Sequence, residues 1–146
     1  MSRKTIGHRL LRIGHVPRKV LPTLESEGIR ILDEGIRVRL ELRRYVAPGR
    51  RFGYRHQVLS GSIVLTQERI AAYVWWGTLF NVSLVDPRLS TLSVSTPTPD
   101  LLKLGFDVGD FQQGRSGRVE CRFHTDRAED FAAAVGGRWG ARERDF

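Results

Sequence analysis

Arginine is the residue type in this chain whose number and placement could carry binding chemistry. Seven arginines fall within nineteen residues of one another, and most of them alternate with apolar positions: Arg37, Arg39, Arg43, Arg44, Arg50, Arg51 and Arg55. Guanidinium groups concentrated on one surface attract phosphate or carboxylate charge. The pattern therefore favours contact with phosphate, nucleic acid or an anionic membrane surface. An ordinary charged sheet face, partly neutralised by Glu41, is the alternative interpretation.

The rest of the charge follows the same asymmetry. The net charge is +8, and residues 1–55 carry +9 while residues 56–146 carry −1. Within residues 1–19 there are six basic side chains and no acidic one. The basic first third is thus the part of the chain that we expect to meet an anionic partner.

Other chemistry-bearing residues do not form a recognisable active site. The four histidines are scattered at His8, His15, His56 and His124, so they predict no metal site. None of the common catalytic, nucleotide-binding or metalloprotease motifs occurs. Cys121 shares the apolar phase of its strand and is predicted to be an inert buried thiol. The sequence predicts no enzyme, no catalytic residue, no cofactor and no metal.

Length and hydropathy restrict the class of protein. A chain of 146 residues suffices for one core but not for two. Its longest apolar runs, such as 70–76, are too short to cross a bilayer. The single cysteine excludes an intrachain disulfide framework, which predicts a reducing compartment. We therefore expect a cytoplasmic protein, able to associate peripherally with a membrane.

The elements that must position the arginines begin at residue 36. There apolar residues alternate with charged ones, which predicts a strand with one buried and one wet face, its buried side being Ile36, Val38, Leu40, Leu42 and Val46. Pro48-Gly49 predicts a turn. The return strand is predicted to bury its apolar phase, Phe52, Tyr54, His56 and Val58, with His56 at the edge of the core. Gly61 predicts a bend or bulge in that strand.

Further antiparallel strands and one helix complete the predicted domain. Strands are expected over 63–66, 69–76, 78–85, 89–95, 101–107 and 118–124, with a glycine-rich loop over 108–117. Asp126 and Glu129 resemble an N-cap and its reciprocal acid, and Gly136-Gly137 ends the helix. This predicts three parts: a basic extension over 1–34 with a short helix at 5–13, a barrel with its helix over 35–137, and a tail over 138–146.

Two aromatic residues are predicted to form an interaction surface. If Trp76 packs in the core with Ile70, Ala72 and Val74, alternation places Tyr73 and Trp75 together on the outside. Exposed large aromatic side chains often mark interfaces. We expect Tyr73 and Trp75 to contact a second subunit, unless the N-terminal segment covers them.

The order of seven antiparallel strands followed by one helix resembles the pleckstrin-homology-like superfold, in particular its bacterial and GRAM-like members. The resemblance covers residues 35–136, and its most similar local piece is the run from Gly61 to Ile70, Gly-Ser-Ile-Val-Leu-Thr-Gln-Glu-Arg-Ile. It implies a mainly β, partly split barrel whose mouth is capped by the C-terminal helix. It also implies an anion site on the first hairpin, at Arg43, Arg44, Arg50 and Arg51.

Three functions remain open at this point. The first is a non-enzymatic module that contacts an acidic protein or an anionic lipid surface through the basic hairpin. The second is nucleic-acid binding, with Tyr45, Tyr73 and Trp75 available for stacking. The third is a structural homo-oligomer, of the kind that bacterial pleckstrin-homology-like domains include.

Overall fold

The computed structural model describes residues 15–111 and 113–136, which form a mainly β domain. A short helix, α1 (Leu21–Glu27), precedes the strands, and a second helix, α2 (Ala128–Gly136), follows them. The strands are β1 (Ile29–Ala47), β2 (Arg50–Thr66), β3 (Arg69–Val74), β4 (Gly77–Ser83), β5 (Ser93–Thr98), β6 (Leu101–Asp107) and β7 (Ser116–His124). Short 3-10 turns lie at Pro87–Thr91 and Val108–Asp110.

All seven strands of the described residues belong to one antiparallel sheet. Their order is β4-β3-β2-β1-β7-β6-β5, so the sheet is not closed, and β4 and β5 are its edges. The long β1–β2 hairpin occupies the centre. The predicted fold class, a mainly β domain whose antiparallel sheet is followed by a C-terminal helix, is confirmed.

The alternation in β1 places its apolar residues in the core, as expected. Ile36, Val38 and Leu40 are almost completely buried. One irregularity lies just before them, where Gly35 adopts a positive φ of 69° and the β1–β2 register shifts between Glu34 and Ile36. This bulge changes the buried phase from the odd positions Ile31 and Asp33 to the even ones.

Two separate apolar clusters stabilise the sheet. The larger covers the face on which the cavity described below opens, called the concave face here and its opposite the convex face, and it includes Phe123 together with Ala128, Phe131 and Val135 of α2. The smaller lies on the opposite face of β2 and β3, where Val16 and Leu24 cover Val64, Ala71 and Tyr73. Both faces of β3 are therefore buried.

An ion pair fixes α1 to the β2–β3 turn. Arg69 donates through Nε to Glu27 Oε1 at 2.8 Å and through Nη2 to Glu27 Oε2. The Thr66 hydroxyl donates to the same carboxylate at 2.9 Å. Hydrogen bonds from Arg69 are the main reason that the pKa of Glu27 lies below its ordinary value of 4.5.

Several boundaries differ from those expected. β1 begins at Ile29, inside the part assigned to the extension, and Pro22 lies in the first turn of α1, where proline needs no N–H partner. The predicted strand over 89–95 is split into the 3-10 turn and β5. Before α2, the Thr125 hydroxyl accepts from Arg127 N–H at 3.1 Å and donates to Asp33 at 2.6 Å, which ties the start of this helix to β1. The predicted helix at 5–13 and the tail at 138–146 lie outside the described residues.

Candidate binding cavity and its rim

A cavity of about 520 Å³ opens on the concave face of the sheet. This volume lies within the range of small-molecule sites in proteins. Its apolar lining comes from the sheet and the turn after β6: Leu40, Leu42, Leu79, Phe106, Val108 and Val119. Its polar and aromatic lining consists of Tyr45, Arg50, Arg55, Gln57, Trp75, Trp76, Thr78 and Arg115. Within the part of the chain that the structure describes, no carboxylate side chain lines the cavity.

Strand register explains why an arginine and a glutamine of β2 face the concave side. In β2, Leu59, Ile63 and Leu65 pack on the larger cluster, and β2 pairs with β1 without a further shift from Ile36 to Ala47. Leu40 is therefore paired with Gln57, and Leu42 with Arg55. Opposite residues of an antiparallel pair share a face, so the two polar side chains lie beside the apolar ones of β1.

The predicted apolar phase of the return strand is therefore wrong. Tyr54 and Val58 are 59% and 56% exposed, and His56 is exposed as well, so it is not a core-edge histidine. A bulge at Gly61 would have reset the phase, but the irregularity lies on β1, at Gly35. Gly61 instead allows close approach, since a Cβ there would lie 2.7 Å from the Tyr73 carbonyl oxygen.

A second local irregularity brings Tyr45 into the cavity. Arg44 has a positive φ of 52°, and the β1–β7 register shifts between Arg43 and Val46. Gly117, with φ of 120°, accommodates this bulge, because a Cβ there would lie 2.7 Å from Tyr45 Cα. Tyr45 was expected on the wet face, but it lines the cavity and its hydroxyl accepts from Arg115 Nη1 at 3.2 Å.

Aromatic packing positions the segment that carries Arg115. Phe111 meets the Phe106 ring edge to face, with centroids 5.4 Å apart, and the Arg88 guanidinium lies 5.2 Å from the Phe111 centroid. Val108 is buried beside them. These contacts hold the connection between β6 and β7 against the sheet, which places Arg115 at the cavity.

The two tryptophans lie in the turn between β3 and β4. Trp75 and Trp76 are 70% and 47% exposed, and both line the cavity. The prediction that Trp76 belongs to the core is wrong, because β3 ends at Val74 and strand alternation does not continue through the turn. Trp75 is exposed, as predicted.

Tyr73 is not exposed. It is only 2% accessible and packs against Leu24 and Val16, because the segment before β1 covers this face of β3. Burial raises the pKa of its phenol above the ordinary value of 10.0. Tyr73 is therefore covered by the segment before β1, which is the alternative that the sequence left open, whereas a subunit interface at Trp75 stays a prediction.

The structure separates the four arginines of the expected anion site. Only Arg50 lines the cavity. Arg43 lies on the opposite face, where Nη2 donates to Glu41 Oε2 at 3.1 Å and the guanidinium stacks 5.7 Å from the Tyr54 centroid. Arg44 and Arg51 are exposed near the hairpin turn.

Carboxylates on the convex face neutralise part of its positive charge. Glu41 is buried and accepts from both Arg43 and Arg122. Hydrogen bonding from Arg122 contributes most to a Glu41 pKa below its ordinary 4.5. The Arg118 guanidinium lies over Gly105, donates through Nη2 to the Ser93 hydroxyl at 3.0 Å and forms an ion pair with Asp107 at 4.0 Å. The middle of this face is thus a network of ion pairs.

Several cavity residues escaped the sequence prediction, among them Tyr45 and Arg55, which were assigned to the outer face, and Gln57, Trp76 and Arg115. For Arg55 and Gln57 a signal exists, since counting back in twos from Leu65 and Ile63 places both on the buried phase. Arg115 carries no such signal, because a glycine-rich connection determines its position.

Among residues 15–111 and 113–136, no three histidine, cysteine or carboxylate side chains gather as a metal site requires. Within the same ranges, no helix has the length and hydropathy needed to cross a bilayer. No family model matches this chain, and no curated protein matches it.

Proposed function

We propose that this protein is a non-enzymatic binding module of the pleckstrin-homology-like type that attaches to an anionic membrane leaflet through the end of its first hairpin. The observation that carries the proposal is a rim, defined here as Arg44, Arg50, Arg51, Trp75 and Trp76. These five side chains are all exposed, and Arg50 and both tryptophans border one cavity.

Among the residues that the structure describes, no carboxylate neutralises the arginines of the rim locally. Among the described residues, no ion pair involves Arg44, Arg50 or Arg51. Each basic side chain held at an anionic leaflet contributes about 1 kcal/mol, and this contribution falls as salt screens it. Three such arginines would supply about a hundredfold in partitioning.

The tryptophans favour a membrane over an acidic protein or a nucleic acid. Two adjacent exposed indoles in a tight turn are typical of side chains that settle at the headgroup level of a bilayer. Burial of Tyr73 removes one of the three aromatic residues expected to stack on bases. An acidic protein or a nucleic acid at the rim remains an outcome that the following test distinguishes.

Liposome flotation tests the proposal. We expect the protein to float with vesicles that contain phosphatidylserine and to float less as the salt concentration rises. With neutral vesicles it should remain in the bottom fraction. The variant with Arg44→Gln, Arg50→Gln and Arg51→Gln should lose about a hundredfold in partitioning. Substitution of Trp75 and Trp76 by Ala should also weaken binding.

A matched control has the same net charge. Arg30, Arg37 and Arg39 are exposed residues of β1 that lie away from the hairpin turn, and their replacement by Gln removes the same three charges. This control should retain nearly all vesicle binding. Equal losses in the two triple variants, or equal flotation on neutral vesicles, would refute the proposal, and a salt-sensitive gel shift without flotation would favour nucleic acid.

A further inference from the structure

We infer that the cavity binds one single-chain anionic amphiphile, with its carboxylate or phosphate at the arginines and its apolar chain against the floor. The inference deepens the proposed function, since the ligand enters through the same rim. Its physical basis is a gradient of burial and polarity from the floor of the cavity to its mouth.

The floor is apolar and buried. Leu40, Phe106, Val108 and Val119 are each less than 9% exposed, yet each borders the cavity. None of these side chains offers a hydrogen bond, so a polar ligand group placed there would lose its hydration without compensation. An alkyl chain in the same place would gain from leaving water.

The mouth is polar and positively charged. Arg50, Arg55 and Arg115 are exposed and line the cavity, as do Gln57 and Thr78. Among the described residues, no ion pair involves Arg50 or Arg115, and the one hydrogen bond of Arg115 uses Nη1 toward Tyr45. A guanidinium has five donors, so Arg115 can bind an anion while it keeps this contact.

The uninterrupted alternation of side chains along β2 explains why charged and apolar groups meet in the cavity. With the Gln57 amide oxygen turned toward Arg55, Arg55 Nη2 and Nε donate to it at 3.1 and 3.3 Å. This pair occupies core-facing positions because Leu59 and Ile63 fix the phase of the strand. Because Arg55 and Gln57 occupy these positions in place of apolar side chains, the concave face is not filled there. A site that breaks the local hydrophobic pattern is where function is expected.

The experiment measures binding of four soluble probes to the full chain by calorimetry, below their micellar concentrations. Decanoate and decyl phosphate should bind, whereas decanol, which lacks the charge, and inorganic phosphate, which lacks the chain, should each bind at least about tenfold more weakly. Decanoate against decyl phosphate distinguishes a fatty acid from a phosphorylated lipid as the source of the anionic group. Equal binding of inorganic phosphate and decyl phosphate would overturn the inference, as would equal binding of decanol.

Variants separate this inference from membrane attachment. Arg55→Gln should weaken decanoate by about tenfold, and Leu79→Trp should shorten the longest chain that binds by filling half-buried space at β4. Arg39→Gln, on the other face, should change neither the affinity for decanoate nor the longest chain that binds. The Arg44→Gln/Arg51→Gln variant should keep decanoate binding but lose vesicles, because neither residue lines the cavity. Thermal unfolding confirms that each variant is folded. Unchanged decanoate affinity in folded Arg55→Gln, together with an unchanged limit on chain length in folded Leu79→Trp, would refute the site even if flotation succeeds.

Discussion

At the residue scale, the backbone conformation of single residues determines which face each arginine occupies. Gly35 changes the buried phase of β1, and Arg44, in a conformation that favours glycine, does so again near the hairpin turn. Gly61 permits β2 and β3 to approach. The cavity therefore depends on local backbone geometry as much as on the residues that line it.

Gly61→Ala should destabilise the protein by about 2 kcal/mol, the cost of inserting a methyl group where no space exists. The added Cβ would lie 2.7 Å from the Tyr73 carbonyl oxygen and 3.0 Å from Val38 Cγ2. Urea unfolding measures the change. Gly53→Ala, also in β2 but with nothing within 4 Å of the added Cβ, serves as the control and should be nearly neutral. Equal effects of the two substitutions would contradict the packing argument.

Cys121 should resist thiol reagents in the native protein. It is completely buried, and burial raises its pKa to about 12, so almost no reactive thiolate exists at pH 8. We expect labelling by a disulfide reagent to proceed only as fast as the protein unfolds. Adding Thr91→Cys, at an exposed position, supplies a thiol that should react at once. Rapid modification of Cys121 in the folded chain would show that β7 is not a core strand.

At the element scale, α1 is held against the sheet by the Glu27 carboxylate and by apolar packing. Glu27 accepts from Arg69 and Thr66, and Leu24 of the same helix covers Tyr73. The segment thus buries the second face of β3, which the sequence pattern alone left exposed. Helix and sheet are joined here by both an ion pair and apolar contact.

Glu27→Gln should lower the free energy of unfolding at pH 7 by on the order of 1 kcal/mol, because a partly exposed ion pair is lost. The folded pKa of Glu27 lies below its ordinary 4.5, so the carboxylate stabilises the fold above that pH. This contribution disappears as pH falls through the folded pKa, and the difference between wild type and variant should vanish in strong acid. Chemical unfolding of both proteins across pH 2 to 7 measures this difference. Glu25→Gln, on the exposed side of α1, is the control and should leave the free energy of unfolding at pH 7 nearly unchanged.

At the scale of the whole molecule, the sequence predicted the sheet and the helix that follows it but not the cavity. Strict alternation from Ile36 to Leu42 and the apolar face of Ala128, Phe131 and Val135 are local patterns, and both were correct. The faces of Arg55 and Tyr73 depend on distant partners, namely the pairing of β2 with β1 and the cover supplied by Leu24. Such tertiary relations decide which aromatic residues are buried, since Tyr54 is exposed whereas Tyr73 is covered.

The two ends of the sheet should behave independently. β7 runs from Ser116, beside the rim, to His124, which precedes α2, a span of about 25 Å for a strand of this length. Phe131→Ala in α2 should cost about 3 to 5 kcal/mol, since the ring is fully buried in the larger cluster. A folded domain with ordinary stability survives that loss, so vesicle flotation and decanoate binding should remain unchanged at low temperature. When Phe131→Ala is combined with Arg55→Gln, their effects on the free energy of unfolding should add, because the two sites share no contact. Loss of binding in folded Phe131→Ala, shown by an intact unfolding transition, would place the functional surface at α2 instead of the rim.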